Sequence, residues 1–234
     1  MLVSRMAALH FAATEGAARN LTREGVPATR ITVTGNTGID AVLHVRDGLE
    51  RGQYADALVD LPAPGRRLLV VTAHRRESLG EGLAAICAAL ARIADRNDID
   101  IVYPVHPNPA VREPVERALR FHPNIHLTPP LDYVPFVDLM RRAWLLMTDS
   151  GGVQEEGPSL GKPVLVLREK TERPEAVEAG AAKLVGADRE RIVAETLRLL
   201  DSEQEYRRMC ARGSPYGDGH ACQRIEATLS RFFG

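Results

Sequence analysis

Along the chain, short continuous runs of branched apolar residues alternate with longer stretches whose apolar positions recur at helical spacing. Strands are expected at residues 31–34, 68–72, 101–105, 125–128, 144–148, 164–167 and 183–185. Runs this short, and apolar on consecutive positions, fit strands covered on both faces. Helix punctuation fills the intervals. Thr14 caps a helix that stops at Gly25, residues 83–95 are Ala-rich and amphipathic, and Asp188 caps a helix over 192–200. Ser202 with Glu205 makes a capping box for the next helix. Strand–helix alternation of this kind predicts an α/β fold with a parallel, doubly wound sheet.

The pattern is unevenly divided. Six expected strands between positions 68 and 185 suffice for a complete Rossmann-like sheet, whereas the region before them offers one helix, one strand, the loop 34–37 and a helical stretch to about Leu61. A helix, a strand and a loop bury too little to make a core. Residues 1–60 are therefore expected to be the remnant of a second Rossmann-like domain with a connecting helix. Residues 61–66, which include Pro62, Ala63, Pro64 and Gly65, are expected to be a linker; residues 67–212 a full sheet domain; and residues 213–234 a terminal crossover helix.

Composition narrows the function classes. The 234 residues carry 30 basic and 31 acidic side chains, a formal charge of −1, so no electrostatic case exists for a nucleic-acid partner. No apolar run approaches the roughly 18 residues of a membrane helix, and the opening residues lack the apolar core of a signal peptide, so a cytoplasmic protein with no membrane partner is expected. Cys87, Cys210 and Cys222 are far apart and in no metal-binding spacing. His122 and His126 have helical ligand spacing, but Pro123 and Asn124 between them read as a turn, and no metal is expected. Neither GxGxxG nor GxxxxGK[ST] occurs, so no dinucleotide cofactor or P-loop is indicated.

In an open α/β sheet, ligands collect beyond the carboxyl ends of the strands. Four loops there carry chemistry: Ala73-His-Arg-Arg-Glu-Ser78, His106-Pro-Asn-Pro109, Asp149-Ser-Gly-Gly-Val-Gln-Glu-Glu156 and Arg168-Glu-Lys-Thr-Glu-Arg-Pro-Glu175. The third is the sharpest. A strand ends, Ser150, Gly151 and Gly152 follow, and a helix begins at once, so unpaired helix N–H groups and a close-approaching backbone form an anion site. Glu156, one turn in, can accept hydrogen bonds from a vicinal diol such as a ribose; alternatively the three polar residues 154–156 only complement the helix dipole. Arg173 at the neighbouring strand end offers a guanidinium for a phosphate. His74, with Arg75 and Arg76, adds donors over the same crevice. Glu169 and Lys170 read as solvated charges, and His106 is assigned no chemistry. Three loops converging on one crevice make a diphosphate the most economical ligand. Phe136 stays open between covering a base and packing with Leu139 and Met140.

These residues resemble a known family. Thr34-Gly-Asn-Thr37 with Ile39-Asp-Ala41, Ala73-His-Arg-Arg-Glu77, Asp149–Glu156, Gly161-Lys-Pro163, Thr171-Glu-Arg-Pro-Glu175 and Pro215-Tyr-Gly-Asp-Gly219 are similar, in that order, to the non-hydrolysing UDP-N-acetylglucosamine 2-epimerases. The resemblance implies a GT-B-like fold of two Rossmann-like domains with the substrate between them, and a last helix, here 220–233, that crosses back. It implies UDP-N-acetylglucosamine and UDP as ligands and a homodimer for the full-length family. It implies that Ser150, Gly151 and Gly152 hold the diphosphate, Glu156 the ribose and Arg173 a phosphate, with His74 in the active site and Phe136 near the uracil. The family's acid/base carboxylates sit in a large segment ahead of the equivalent of Met1, and no carboxylate here matches those motifs. A hydrolysing epimerase, a GT-B glycosyltransferase and a chain that binds UDP without turnover are the alternatives.

Overall fold

The computed structural model describes residues 2–55, 65–75 and 78–234. Arg76, Glu77, residues 62–64 of the expected linker and the expected helical end near Leu61 lie outside them. In chain order the elements are α1 Leu2–Met6, β1 His10–Ala12, α2 Glu15–Arg23, β2 Ile31–Val33, α3 Thr37–Glu50, β3 Arg67–Thr72, α4 Glu81–Ala94, β4 Ile99–Pro104, α5 Pro109–Leu119, β5 Ile125–Thr128 and α6 Tyr133–Arg142. They continue with β6 Leu145–Thr148, α7 Gly151–Ser159, β7 Val164–Val166, α8 Pro174–Glu178, β8 Ala182–Leu184, α9 Arg189–Asp201, α10 Glu203–Cys210 and α11 Ala221–Phe233.

Six strands form one parallel sheet in the order β5-β4-β3-β6-β7-β8. From β3 the chain winds outward one way through β4 and β5, then returns to β6 and winds the other way. The carboxyl ends of β3 and β6 thus flank a topological switch point, where the diverging crossovers leave a crevice. Alternation along each strand divides the core in two. Leu69, Val71, Ile101, Tyr103, Leu145, Met147 and Leu165 pack with α4, α5 and α9 on one face. Val70, Val102, Leu146, Val164 and Val166 pack with α3, α6, α7 and α8 on the other.

The helix stops and starts follow the expected chemistry. Thr14, Asp188 and Ser202 each accept a hydrogen bond from a main-chain N–H of the first turn of α2, α9 and α10 respectively. The N-terminal stretch holds more structure than expected. His10–Ala12 is a strand, paired in parallel with Ile31–Val33 through α2. The expectation of a single strand there is corrected: three residues flanked by no turn signal give no periodicity to read. α3 packs on α6 and α7, burying Ile39, Val42 and Val45 in the core of that face, and α11 docks on α3, where the Asp40 carboxylate accepts the Ala221 and Cys222 N–H groups at 3.0 and 2.7 Å. Met6 (85% exposed) and Val33 (37%) leave apolar surface on the β1–α2–β2 side.

Candidate functional site

The glycines at the start of α7 are explained neither by backbone conformation nor by packing. Neither has a positive φ. A Cβ built on Gly151 meets nothing within 4 Å, and one on Gly152 meets only the Ser150 hydroxyl at 3.8 Å. Gly157, two turns on, is different, because its Cβ would fall 2.7 Å from both Leu146 Cδ1 and Val164 Cγ2. The first two glycines thus keep an open approach to the helix N-terminus, where unpaired N–H groups and the helix dipole favour an anion. Ser150 caps α7 with its backbone, and its hydroxyl makes no capping bond. The Ser150 N–H is fixed by Thr148 Oγ1 at 2.9 Å, and Thr148 pairs with Thr72 across the switch point at 2.6 Å.

His74 stands on the other side of that point, tied to α7 through Asp149. This carboxylate is fully buried and accepts the main-chain N–H groups of His74 and Arg75 at 2.7 Å each. The His106 ring stacks on His74 with centroids 5.3 Å apart and planes 9° from parallel. The structure therefore brings His74, Ser150, Gly151 and Gly152 together, and adds His106, which had been assigned no chemistry.

Farther along α7, Glu156 is half-buried, and the Tyr133 hydroxyl donates to it at 3.4 Å. Burial pushes the Glu156 carboxyl up to about 7; the Tyr133 bond opposes the shift and the neighbouring Glu155 charge adds to it. Burial and Glu156 likewise push the Tyr133 phenol up to about 12. Phe136, one turn beyond Tyr133 in α6, is half-buried and packs against the core of that face.

Arg173 reaches the same region, but its guanidinium is engaged. Nε donates to Glu155, and an amino group donates to the Glu172 carbonyl at 3.1 Å. Glu155 also accepts from the Asn36 amide of the β2–α3 loop. Thr171 donates to Gln154 at 2.5 Å and accepts the Arg173 N–H at 2.9 Å, which fastens the loop before α8 to α7. Buried Tyr216 donates to the Arg173 carbonyl at 3.0 Å and accepts the Ala176 N–H at 3.1 Å, while its own carbonyl takes the Asn36 N–H at 2.7 Å. Where Tyr216's loop meets the β2–α3 loop, Gly35 (φ +86°) faces Gly217 so closely that a Cβ would lie 3.3 Å from the Gly217 Cα. A cleft of about 740 Å³ opens between α2 and this network, lined by Thr14, Arg19, Asn36, Glu155, Arg173 and Tyr216. Arg173 lines it, and the α7 glycines lie outside it. Glu169 and Lys170 are exposed, as expected of solvated charges.

Asp149, Asn36, Tyr133 and Tyr216 went without roles in the sequence reading, and Glu155 was read only as a complement to the helix dipole; all but Tyr133 fall in quoted motifs. Asp149, between β6 and the Ser150 cap, gave no signal of its own, because its partners are main-chain N–H groups.

Comparisons with known proteins agree with this geometry. The sequence profile of the UDP-N-acetylglucosamine 2-epimerase family matches residues 1–230. The chain is 53% identical over 233 residues to the UDP-N-acetylglucosamine 2-epimerase of Escherichia coli K12, covering 97% of this chain and 62% of that one. It is 52% identical over 236 residues to the enzyme of that name from Salmonella typhimurium, covering 99% and 63%. The structure of UDP-GlcNAc 2-epimerase from Neisseria meningitidis bound to UDP-GlcNAc superposes with a TM-score of 0.91 at 40% identity, over 98% of this chain and 63% of that one. The S. aureus MnaA–UDP complex superposes with a TM-score of 0.89 at 39% identity, over 99% and 62%. The chain thus spans a little over three-fifths of the length of these relatives and matches their C-terminal part. With a matching profile over nearly every residue and a GT-B-like fold, this chain belongs to the UDP-N-acetylglucosamine 2-epimerase family.

Proposed function

We propose that this chain binds UDP and UDP-N-acetylglucosamine at the switch point and handles the leaving group in a non-hydrolysing 2-epimerase that interconverts UDP-N-acetylglucosamine and UDP-N-acetylmannosamine. The observation that carries the reading is the open N-terminus of α7, where a Gly151 Cβ would meet nothing, set beside His74. Ser150, Gly151 and Gly152 then hold the diphosphate, and Arg173 and His74 add donors to it. Glu156 takes the ribose hydroxyls, with Tyr133 beside it, and Phe136 lies toward the uracil. Relatives with UDP-GlcNAc or UDP bound support this choice of ligand.

The chemistry follows from the sugar. The C2–H bond is not next to a carbonyl, so direct proton removal is slow. If the C1–O bond to UDP breaks while a base takes the C2 proton, a 1,2-unsaturated glycal and UDP result. Protonation of C2 from the opposite face, with return of the UDP oxygen to C1, gives the epimer. UDP must be held through both steps, and charge grows on its β-phosphate as C1–O breaks. Preorganised N–H groups at a helix N-terminus, with Arg173 and His74, stabilise that charge in the transition state. The base and the acid come from outside the loops described above.

On this reading residues 67–212 form the UDP-binding domain, the β1–α2–β2 unit belongs to the facing domain, and residues 213–234 cross between them. On the same reading, full-length members of the family are homodimers that work in the cytoplasm and supply precursors for cell-surface polysaccharide. Calorimetry with UDP, UMP and uridine tests the site. Each charge-assisted bond to the terminal phosphate is worth about tenfold or more, so affinity should fall in that order. Equal affinities for all three would remove the diphosphate from α7.

A further inference from the structure

We propose that Asp149 is the positioning residue for His74: it holds the imidazole with its proton on Nδ1 and leaves the unprotonated Nε2 on the side away from Asp149, toward the ligand. The inference rests on the ligand assignment above.

The two oxygens of Asp149 are in unlike situations. Oδ2 accepts two consecutive main-chain N–H groups, from His74 and Arg75, at 2.7 Å each. Oδ1 is as deeply buried but has no hydrogen-bond partner, and His74 Nδ1 lies 3.5 Å from it. A buried carboxylate oxygen without a donor is unfavourable. A small turn of the imidazole closes that gap, and only a protonated Nδ1 can donate across it. A neutral ring so held must keep Nε2 unprotonated, which sets the tautomer.

Three further contacts leave the ring little choice. His106 stacks on one face at 5.3 Å, so tilting is opposed. The Tyr103 hydroxyl donates to the Ala73 carbonyl at 2.6 Å inside the core, which pins the residue before His74. Asp149 itself cannot move, because it is followed directly by the Ser150 cap of α7 and the Ser150 N–H is bonded to Thr148. One buried carboxylate therefore sets both the backbone and the ring of His74 against the helix end that receives the anion. When the anion binds, a proton from solvent on Nε2 turns the ring into a cation that donates to the diphosphate, and the Asp149 carboxylate on the Nδ1 side balances that charge.

The test is the nitrogen spectrum of His74 in the 234-residue chain, with its signals assigned by their loss in H74Q. At a pH where the ring is neutral, wild type should show the Nδ1–H tautomer. In D149N the amide oxygen still accepts the two N–H groups, but its NH₂ faces Nδ1 as a donor. The ring should then change to the Nε2–H form, and UDP affinity should fall about tenfold, because a neutral donor replaces the cation that the carboxylate favours. An Nε2–H ring in wild type overturns the proposal, as does a folded D149N with an unchanged His74 spectrum. If D149N does not fold, the wild-type tautomer alone decides. Failure of wild type to bind UDP would refute the ligand assignment instead, and the spectrum would still report on Asp149 and His74 separately.

Discussion

Replacing Gly151 by Ala separates what a glycine does for the fold from what it does for a ligand. Its Cβ would meet no atom within 4 Å, and its backbone is not in the left-handed region, so the substitution introduces neither a clash nor strain. Alanine is favoured over glycine within a helix by about 0.5–1 kcal/mol; the first turn should realise the lower part of that range. For a chain of this size 1 kcal/mol moves Tm by about 2–4 °C, so Gly151→Ala should melt at the wild-type temperature or about 1–2 °C above it. Binding should go the other way. The methyl group occupies the approach to the α7 N–H groups, and losing one charged hydrogen bond removes about 1.5–3 kcal/mol, or about 10- to 150-fold in UDP affinity. Gly157→Ala is the internal control. Its Cβ lands 2.7 Å from two core methyl groups, so overpacking of about 1–3 kcal/mol should lower Tm. Paired melting curves and calorimetry on both variants decide the matter. A Gly151→Ala protein that melts well below wild type would show that the glycine serves packing after all. One that binds UDP as wild type does would remove the anion from this helix end.

Two further perturbations address the ribose and phosphate contacts. The Glu156 carboxyl sits near 7, so in the free protein it is largely protonated at pH 6 and largely ionised at pH 8; ribose hydroxyls donate to the ionised form, so uridine affinity should rise across that interval. Glu156→Gln should bind uridine weakly and without this pH dependence, and a pH-independent wild type would refute the ribose contact. Arg173→Ala should weaken UDP and inorganic diphosphate alike, by about 1.5–3 kcal/mol, while leaving uridine unchanged; calorimetry showing equal losses for UDP and uridine would assign Arg173 to the loop rather than to phosphate.

Much of the fold was legible because buried parallel strands advertise themselves as uninterrupted apolar runs. The seven expected strands all appear, with ends displaced by one or two residues, as at 99–104 where 101–105 was expected. His10–Ala12 escaped because three residues carry no period, and its partner lies beyond α2. The affiliation of α3 was also hidden: Ile39, Val42 and Val45 mark an apolar face, but not the helices α6 and α7 that it packs on. At the site, Ser150, Gly151 and Gly152 could be read because a helix starting on glycines at a strand end has a local physical meaning. Asp149 could not, since its partners are main-chain N–H groups 74 and 75 residues away, and every residue type but proline carries one. The bond from Asn36 to Glu155 spans 119 residues and that from Tyr216 to Arg173 spans 43. Pairings of this kind are set by topology, and they surface in a sequence only as unexplained polar residues next to explained ones.

The engagement of Arg173 by Glu155 strengthens its assignment to phosphate. A guanidinium has five N–H donors in a rigid plane. Among the described residues, Arg173 gives Nε–H to Glu155 and one amino hydrogen to the Glu172 carbonyl. Three donors remain, one on Nη1 and two on Nη2. A free arginine would lose about 2 kcal/mol of rotamer entropy on meeting a phosphate, whereas one already held at Nε has lost much of it beforehand. The same carboxylate lowers the local positive field, so discrimination comes from the placement of donors more than from net charge. Glu155 is held in turn by Asn36, on the loop that leaves β2, and Tyr216 ties that loop to the Arg173 carbonyl. The arginine at the phosphate end is thus braced by the β1–α2–β2 unit, on the opposite side of the cleft from α7. A change in the position of that unit would change the reach of Arg173.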